Sequence, residues 1–194
     1  RATCPIERLK LPTLLDGVAD HVLVRAADLG DASAVAREIY DVVPEKLKST
    51  VFWSCCTEQD RLPCLCAWVG DVPLGAVSLL TPPLPPSIMA EYMARHRCTE
   101  AEASARGYME GWGDEMDSAA EVWELVVGEK YRGAGVGALL FDATCRAAAS
   151  CGFEAVYATT TTDNLHGVNL YRNAGCQPVL EQPVGGRFHF KKML

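Results

Sequence analysis

Apolar residues recur along this chain with two different periods, and these periods predict which segments are strands and which are helices. Short apolar runs predict strands over residues 21–26, 62–69, 74–80, 121–127 and 153–160. Residues 70–73, Gly-Asp-Val-Pro, separate the second run from the third and predict a β-hairpin. Two further strands, residues 179–180 and 187–191, are expected to close the chain.

Helical spacing of apolar residues appears between these runs. Ala32, Val35, Ala36 and Ile39 share one face of a helix that ends near residue 40, with Asp28 and Asp31 as candidate caps. A second helical stretch is expected to begin at Pro44, since proline is tolerated in a first turn. Two later helices are predicted over residues 133–149 and 164–172. The second of them has Asn164 or Asp163 as its cap and Gly175 at its end.

Two segments depart from these periods. Residues 1–20 have no clear pattern and are expected to be an N-terminal extension. Residues 81–118 begin with Thr-Pro-Pro-Leu-Pro-Pro, which lacks most backbone donors, and continue with helix-capping signals at Ser87 and Thr99. We therefore expect a single domain over residues 21–194, with a helical flap inserted at about residues 81–118.

Composition excludes several classes of protein. The chain has 194 residues, of which 49% are hydrophobic and 22% charged, which is typical of a globular protein and not of a disordered one. No apolar run approaches the length of a membrane span, so no membrane insertion is expected. The net charge is −7 and no Lys/Arg block occurs, which argues against nucleic-acid binding.

Cysteine usage indicates the compartment. The nine cysteines are odd in number and do not form a disulfide pattern, so a cytoplasmic or otherwise reducing location is expected. Cys55, Cys56, Cys64 and Cys66 lack the spacing of zinc ligands, and no metal site is predicted. Because the sequence begins with Arg1 instead of Met, a removed tag or targeting segment is left open.

The segment with candidate chemistry is the glycine loop, residues 132–138, Arg-Gly-Ala-Gly-Val-Gly-Ala. It lies between a predicted strand and a predicted helix. Glycines there let the backbone approach a ligand, and the N–H groups and dipole of a helix start suit a pyrophosphate. A Walker loop is excluded, because Ala134 follows the glycine that a lysine should follow. A nucleotide-binding Rossmann motif fits poorly, because the acidic residue Glu154 begins the next strand instead of ending it. A helix start without any ligand is the remaining alternative.

Two linked motifs resemble those of a known superfamily. Glu-Leu-Val-Val at residues 124–127, followed by Arg-x-x-Gly-x-Gly from Arg132, resembles the acetyl-CoA-binding motif of the GNAT N-acetyltransferases. The pattern from Asn164 through Tyr171 to Gly175 resembles the second signature of that superfamily, and the order of elements from residue 21 to 192 agrees. The resemblance implies an α/β fold: a mixed, mostly antiparallel twisted sheet with flanking helices and a V-shaped splay between two central strands.

The resemblance also implies a reaction. Acetyl-CoA would be the co-substrate, and a primary amine of a small molecule or peptide would attack it directly in a ternary complex. Tyr171 would protonate the departing thiolate, a role that suits a neutral phenol. The residues that the resemblance assigns to the cofactor are Leu125, Val126, Val127, Arg132, Gly133, Ala134, Gly135, Val136, Gly137, Ala138, Asn164 and Tyr171.

The base and the acceptor site are less defined. Glu121 and Glu124 are the two candidate bases, and a bulge expected in their strand makes it impossible to tell which one faces the acceptor. Trp112, Glu121 and His189 are candidate acceptor-binding residues. Many members of the superfamily form homodimers, which is left open here. A non-catalytic acyl-CoA-binding or regulatory module is the alternative function, and a nicotinamide-dependent dehydrogenase is a more distant one.

Overall fold

The computed structural model describes residues 8–9, 22–41, 64–80, 90, 118–183 and 186–194. The chain divides into two compact units. The first contains Arg1–Leu79 and Trp123–Ala147, and the second contains Leu80–Val122 and Ala148–Leu194. No helix in the described part is long and apolar enough to span a membrane. The single domain over residues 21–194 stays a prediction, as does the flap, which lies almost wholly outside the described residues.

The strands of the first unit follow the predicted apolar runs. They are β1 (Arg8–Leu9), β2 (Val22–Ala26), β3 (Leu65–Val69), β4 (Val72–Leu80) and the second part of β5 (Ala119–Val127), in that spatial order. The pairs β1–β2, β2–β3 and β3–β4 are antiparallel. The expected extension therefore contributes an edge strand, β1. The hairpin turn is shorter than predicted: Pro73 lies within β4, opposite a register shift between Ala67 and Trp68, where a missing N–H is tolerated.

The first helix follows β2 as predicted. Asp28 accepts a hydrogen bond from the Gly30 amide at 2.7 Å and, with Asp31, forms a capping box. A 3-10 turn (Leu29–Asp31) leads into α1 (Ala32–Val35), which continues as a π-helical turn (Ala36–Tyr40). The buried face of this helix packs in a cluster, the β3 cluster, with Cys64, Cys66, Trp68 and Ala76. The helix predicted from Pro44 lies outside the described residues.

The helix after the glycine loop, α2 (Val136–Ser150), begins later than the predicted residue 133. The reason is backbone geometry. Gly133 and Gly135 have φ of 79° and 85°, which a right-handed helix cannot contain. Val136, Leu140, Phe141 and Ala148 form part of its buried side.

The second unit contains the first part of β5 with β6 (Ala155–Thr161), β7 (Gln177–Pro178) and β8 (Arg187–Met193). β5 and β6 are parallel, from Ala119↔Ala155 to Val122↔Ala158, whereas β8 is antiparallel to both β6 and β7. The strand predicted at residues 179–180 is wrong: β7 precedes it, and only the Val179 amide continues the pairing, to His189 O at 2.9 Å. Val179 is apolar because it packs against the buried cluster that contains Tyr157, and its apolar side chain does not indicate a strand.

The last helix, α3 (Leu165–Asn173), is capped by Asn164, and Gly175 follows it with φ of 82°, as the sequence predicted. The mixed, mostly antiparallel sheet with helices confirms the predicted α/β fold class. The V-shaped splay stays a prediction.

Candidate active site

The glycine loop has the backbone geometry of an anion site. Gly133 and Gly135 take the left-handed φ that glycine allows at little cost, and a Cβ at either position would meet nothing within 4 Å. The first backbone bond of α2 runs from Leu139 N to Gly135 O at 3.0 Å. The amides of Val136, Gly137 and Ala138 precede this bond and have no i−4 acceptor within α2, as expected for a helix start. These N–H groups fit the pyrophosphate of CoA.

Arg132 connects this loop to the strand before it. A 3-10 turn (Glu129–Tyr131) follows β5, and the Arg132 amide donates to Glu129 O at 3.2 Å. Its side-chain Nε donates to Val127 O at 3.3 Å, and the side chain is exposed. An exposed guanidinium at the start of this loop can add charge-assisted hydrogen bonding to a phosphate site.

Leu125, Val126 and Val127, the expected contacts of the pantetheine arm, are half-buried at the end of β5. Gly75 of β4 packs against them: a Cβ there would lie 2.8 Å from Val126 O and 3.3 Å from Val127 Cα. Sequence reasoning missed Gly75, although an isolated glycine in a strand pattern is a signal for such close backbone approach.

Glu124, the second candidate base, is half-buried in the first unit. Its Oε2 accepts a hydrogen bond of 2.8 Å from the hydroxyl of Tyr40, which is 84 residues away in sequence. Burial raises the pKa of Tyr40, and the charge of Glu124 and this hydrogen bond raise it further. The phenol is therefore a permanent donor to the carboxylate. Tyr40 was not among the predicted site residues.

In the second unit, Glu121 is buried, with 6% of its surface exposed, and pairs in register with Tyr157. Burial raises the pKa of Tyr171, and Cys176 and Glu121 raise it further. Tyr171 is 5% exposed and its ring packs on Phe190, with centroids 5.5 Å apart. The second unit thus brings the predicted acid under the electrostatic influence of one predicted base.

The side chain of Asn164 makes two hydrogen bonds within the second unit. Its Oδ1 accepts from the Gly167 amide and its Nδ2 donates to Thr160 Oγ1, both at 3.0 Å. Asn164 thus caps α3 and joins it to β6, and its assigned contact with the cofactor stays a prediction.

His189 is 8% exposed on β8, and its Nδ1 lies 3.4 Å from Thr159 Oγ1. In-register partners share a face, and alternate residues of a strand do too, so Glu121, Tyr157, Thr159 and His189 lie on one face of the second unit. Trp112, the other predicted acceptor contact, lies outside the described residues.

The described residues were also compared with the expectation of no metal site and no disulfide pattern. Within the described ranges, no three His, Cys, Asp or Glu side chains converge as a metal site would require. The described cysteines Cys64, Cys66, Cys145, Cys151 and Cys176 are free thiols.

Comparison with known proteins identifies the family. The acetyltransferase (GNAT) family model matches residues 32–176. No curated protein matches the chain. Similar solved structures include the GNAT domain of PAT from S. lividans, with a TM-score of 0.63 and 15% identity over 97% of each chain. For yncA of Salmonella typhimurium, solved with its cofactor acetyl-CoA, the TM-score is 0.60 and the identity 16%, over 89% of this chain and 94% of that one.

A third structure is the ribosomal-protein-alanine N-acetyltransferase of Brucella melitensis, with a TM-score of 0.57 and 17% identity, over 89% of this chain and 99% of that one. At these identities the structures show a shared fold, whereas the family model extends over most of the chain, including β5, the glycine loop and α3. The chain therefore belongs to the acetyltransferase (GNAT) family and uses acetyl-CoA as its co-substrate.

Proposed function

We propose that this protein is an N-acetyltransferase in which a primary amine attacks acetyl-CoA directly. The observation that carries the proposal is the burial of Tyr171 and Glu121 in the second unit, where 5% and 6% of their surfaces are exposed. The similar ribosomal-protein-alanine N-acetyltransferase supports an amine as the acceptor.

In this proposal the first unit holds the cofactor. The amides of Val136, Gly137 and Ala138 bind the pyrophosphate, and Arg132 adds its charge. The left-handed backbone of Gly133 and Gly135 turns the chain into this arrangement. Backbone groups at residues 125–127 orient the pantetheine arm and donate to the thioester carbonyl, which is oxyanion-type stabilisation. When bound, acetyl-CoA supplies an activated acyl group.

The second unit contains the proposed proton donor and the proposed proton acceptor. Tyr171 holds its proton at neutral pH, because burial raises its pKa, and delivers it to the CoA sulfur. Glu121 accepts the proton of the attacking ammonium. The two transfers concern different atoms, the amine nitrogen and the CoA sulfur, so acid and base need not contact each other. Asn164 acts by capping α3 and so fixing the chain that presents Tyr171.

The test compares Glu121→Gln and Tyr171→Phe with the wild type in an amine screen read by mass spectrometry. Glu154→Gln is the matched control, because Glu154 is an exposed carboxylate at the start of β6. We expect the first two variants to lose turnover by about 100-fold, the usual size of a general acid–base effect, while Glu154→Gln retains it. CoA binding, measured by thermal shift, should persist in all three.

The outcomes separate the alternatives. Unchanged turnover in both Glu121→Gln and Tyr171→Phe would remove the assigned roles. Binding of CoA without acetylation of any amine by the wild type would instead support the non-catalytic acyl-CoA-binding module.

A further inference from the structure

Lys191 belongs to a row of side chains that includes the proposed base, Glu121. Glu121 pairs in register with Tyr157, and Tyr157 pairs in register with Lys191, so the row crosses β5, β6 and β8 within the second unit. Residues in register on neighbouring strands project to the same face of a sheet. The row therefore places a carboxylate and an ammonium on the two strands that flank one aromatic residue.

The ammonium of Lys191 is held on the middle residue of this row. Its Nζ lies 5.5 Å from the centroid of the Tyr157 ring, which is within the range of a cation–π contact. Tyr157 is only 2% exposed, so the ring that holds the ammonium is itself fixed by packing. Neighbouring strands lie about 4.8 Å apart, so the charges of Lys191 and Glu121 are separated by roughly 10 Å, the width of two strand spacings.

The burial of Glu121 makes a neighbouring positive charge important. Glu121 is 6% exposed, and burial disfavours the ionised form of a carboxyl group. A general base has to be ionised before it can accept a proton. A positive charge favours the ionised form: at an effective dielectric constant of about 20, two charges roughly 10 Å apart shift a titration by about one pH unit.

Other titratable groups also face this carboxylate. Tyr171 of α3 is neutral at physiological pH, because burial raises its pKa. His189 lies one row away on the same face and titrates near neutral pH. The charged or titratable side chains that the described residues place on this face or against Glu121 are Tyr157, Tyr171, Arg187, His189 and Lys191. Among them, Lys191 alone combines a permanent positive charge with a place in the row of Glu121.

We propose that Lys191, held on the ring of Tyr157, keeps the carboxylate of Glu121 ionised for its role in the reaction. This inference rests on the proposed function, in which Glu121 is the base. Lys191 is a positioning residue, because it acts through the charge of Glu121 and does not itself transfer a proton.

Two adjacent lysines of β8 supply the variant and its matched control. Lys191→Met removes the charge and keeps an aliphatic side chain of similar length. Lys192→Met removes the same charge from the opposite face of the strand, where Lys192 pairs with Val156, and both lysines are half-buried. Carbon-13 NMR of the glutamate carboxyl carbons follows the titration of Glu121 in the protein saturated with CoA. Its resonance is assigned from its absence in Glu121→Gln.

We expect the midpoint of the Glu121 titration to move to higher pH by about one unit in Lys191→Met, because loss of the positive charge disfavours the ionised form. Lys191→Arg and Lys192→Met should both retain the wild-type midpoint. With an acceptor found in the amine screen, the acid limb of the kcat/KM profile should move in the same direction in Lys191→Met. A merely structural role of Lys191 would instead lower the rate equally at every pH.

The inference is overturned if Lys191→Met leaves the midpoint of Glu121 in place, or if Lys192→Met moves it as far. Should Lys191→Met fail to fold, Lys191→Gln removes the same charge with a polar side chain and has the same expected midpoint. Failure of the proposed function is a separate result. Full turnover in Glu121→Gln would remove Glu121 as the base, whereas the NMR midpoints would still report whether Lys191 controls its ionisation.

Discussion

Replacing Gly135 by alanine tests whether the glycine loop needs its left-handed backbone to bind CoA. Gly135 has φ of 85°, and the added Cβ would meet nothing within 4 Å. Steric overlap with neighbours is therefore absent, and the penalty is conformational alone. A non-glycine residue in the left-handed region costs about 1–2 kcal/mol.

This conformational penalty can lower the free energy of unfolding of the unliganded variant or weaken CoA binding. The two effects together equal the whole penalty. If the unliganded variant keeps the positive φ, the free energy of unfolding falls by about 1–2 kcal/mol and CoA affinity is unchanged. If the loop instead relaxes to negative φ, stability is retained and binding must restore the strained form. The Kd for CoA then rises by about 5- to 30-fold, since 1.4 kcal/mol corresponds to about tenfold.

Gly152→Ala is the matched control. Gly152 has φ of 87° with equally open space at its Cβ, but it follows the C-terminal end of α2 and not the glycine loop. Its whole penalty should appear in stability. Urea denaturation gives the free energy of unfolding of each variant, and titration calorimetry gives the Kd. The reasoning is refuted if Gly135→Ala changes neither quantity, or if Gly152→Ala weakens CoA binding as strongly.

Three further predictions follow from the described contacts. Asp28→Ala removes the cap on the Gly30 amide and should lower the unfolding free energy by about 1 kcal/mol, seen as a lower midpoint in urea. Asn164→Ala should destabilise the protein more than Asn164→Asp, because aspartate keeps the cap on Gly167 and loses only the donation to Thr160. Burial raises the pKa of Tyr171 above 10.0, so the folded state keeps a proton that the unfolded state releases. The contribution of Tyr171 should therefore be absent below about pH 10 and should lower stability above it by about 1.4 kcal/mol per pH unit. Because the pKa of Tyr40 is also raised, a second slope of this size is expected, and Tyr171→Phe should reduce the alkaline slope without removing it, as measured by alkaline denaturation.

The sequence predicted those features that depend on nearby residues. The sequence left the cap of α3 between Asn164 and Asp163, and the structure selects Asn164; Gly175 was correctly placed at the end of the helix. Such signals need only a side chain or a glycine at a fixed offset. The start of α2 was misplaced, because the glycines before it could extend the helix or reverse the chain, and apolar spacing does not distinguish these. Pro73 was assigned to a turn, because the register shift beside it, at which Leu74 has no partner in β3, depends on pairing with a second strand.

In the candidate site, too, local features could be predicted from the sequence and contacts between distant residues could not. The glycine loop is contiguous and could be recognised from its letters, whereas the contact of Tyr40 with Glu124 joins positions 84 residues apart. That contact depends on a π-helical turn, which the helical period cannot reveal, since Ala36 and Tyr40 fit a regular helix equally well.

Glu121 and Glu124 also look equivalent as letters in one strand. In the structure Glu121 is buried in register with Tyr157, while Glu124 is half-buried and accepts a phenolic hydrogen bond. Burial and hydrogen-bond partners therefore distinguish two positions that the sequence alone leaves equivalent.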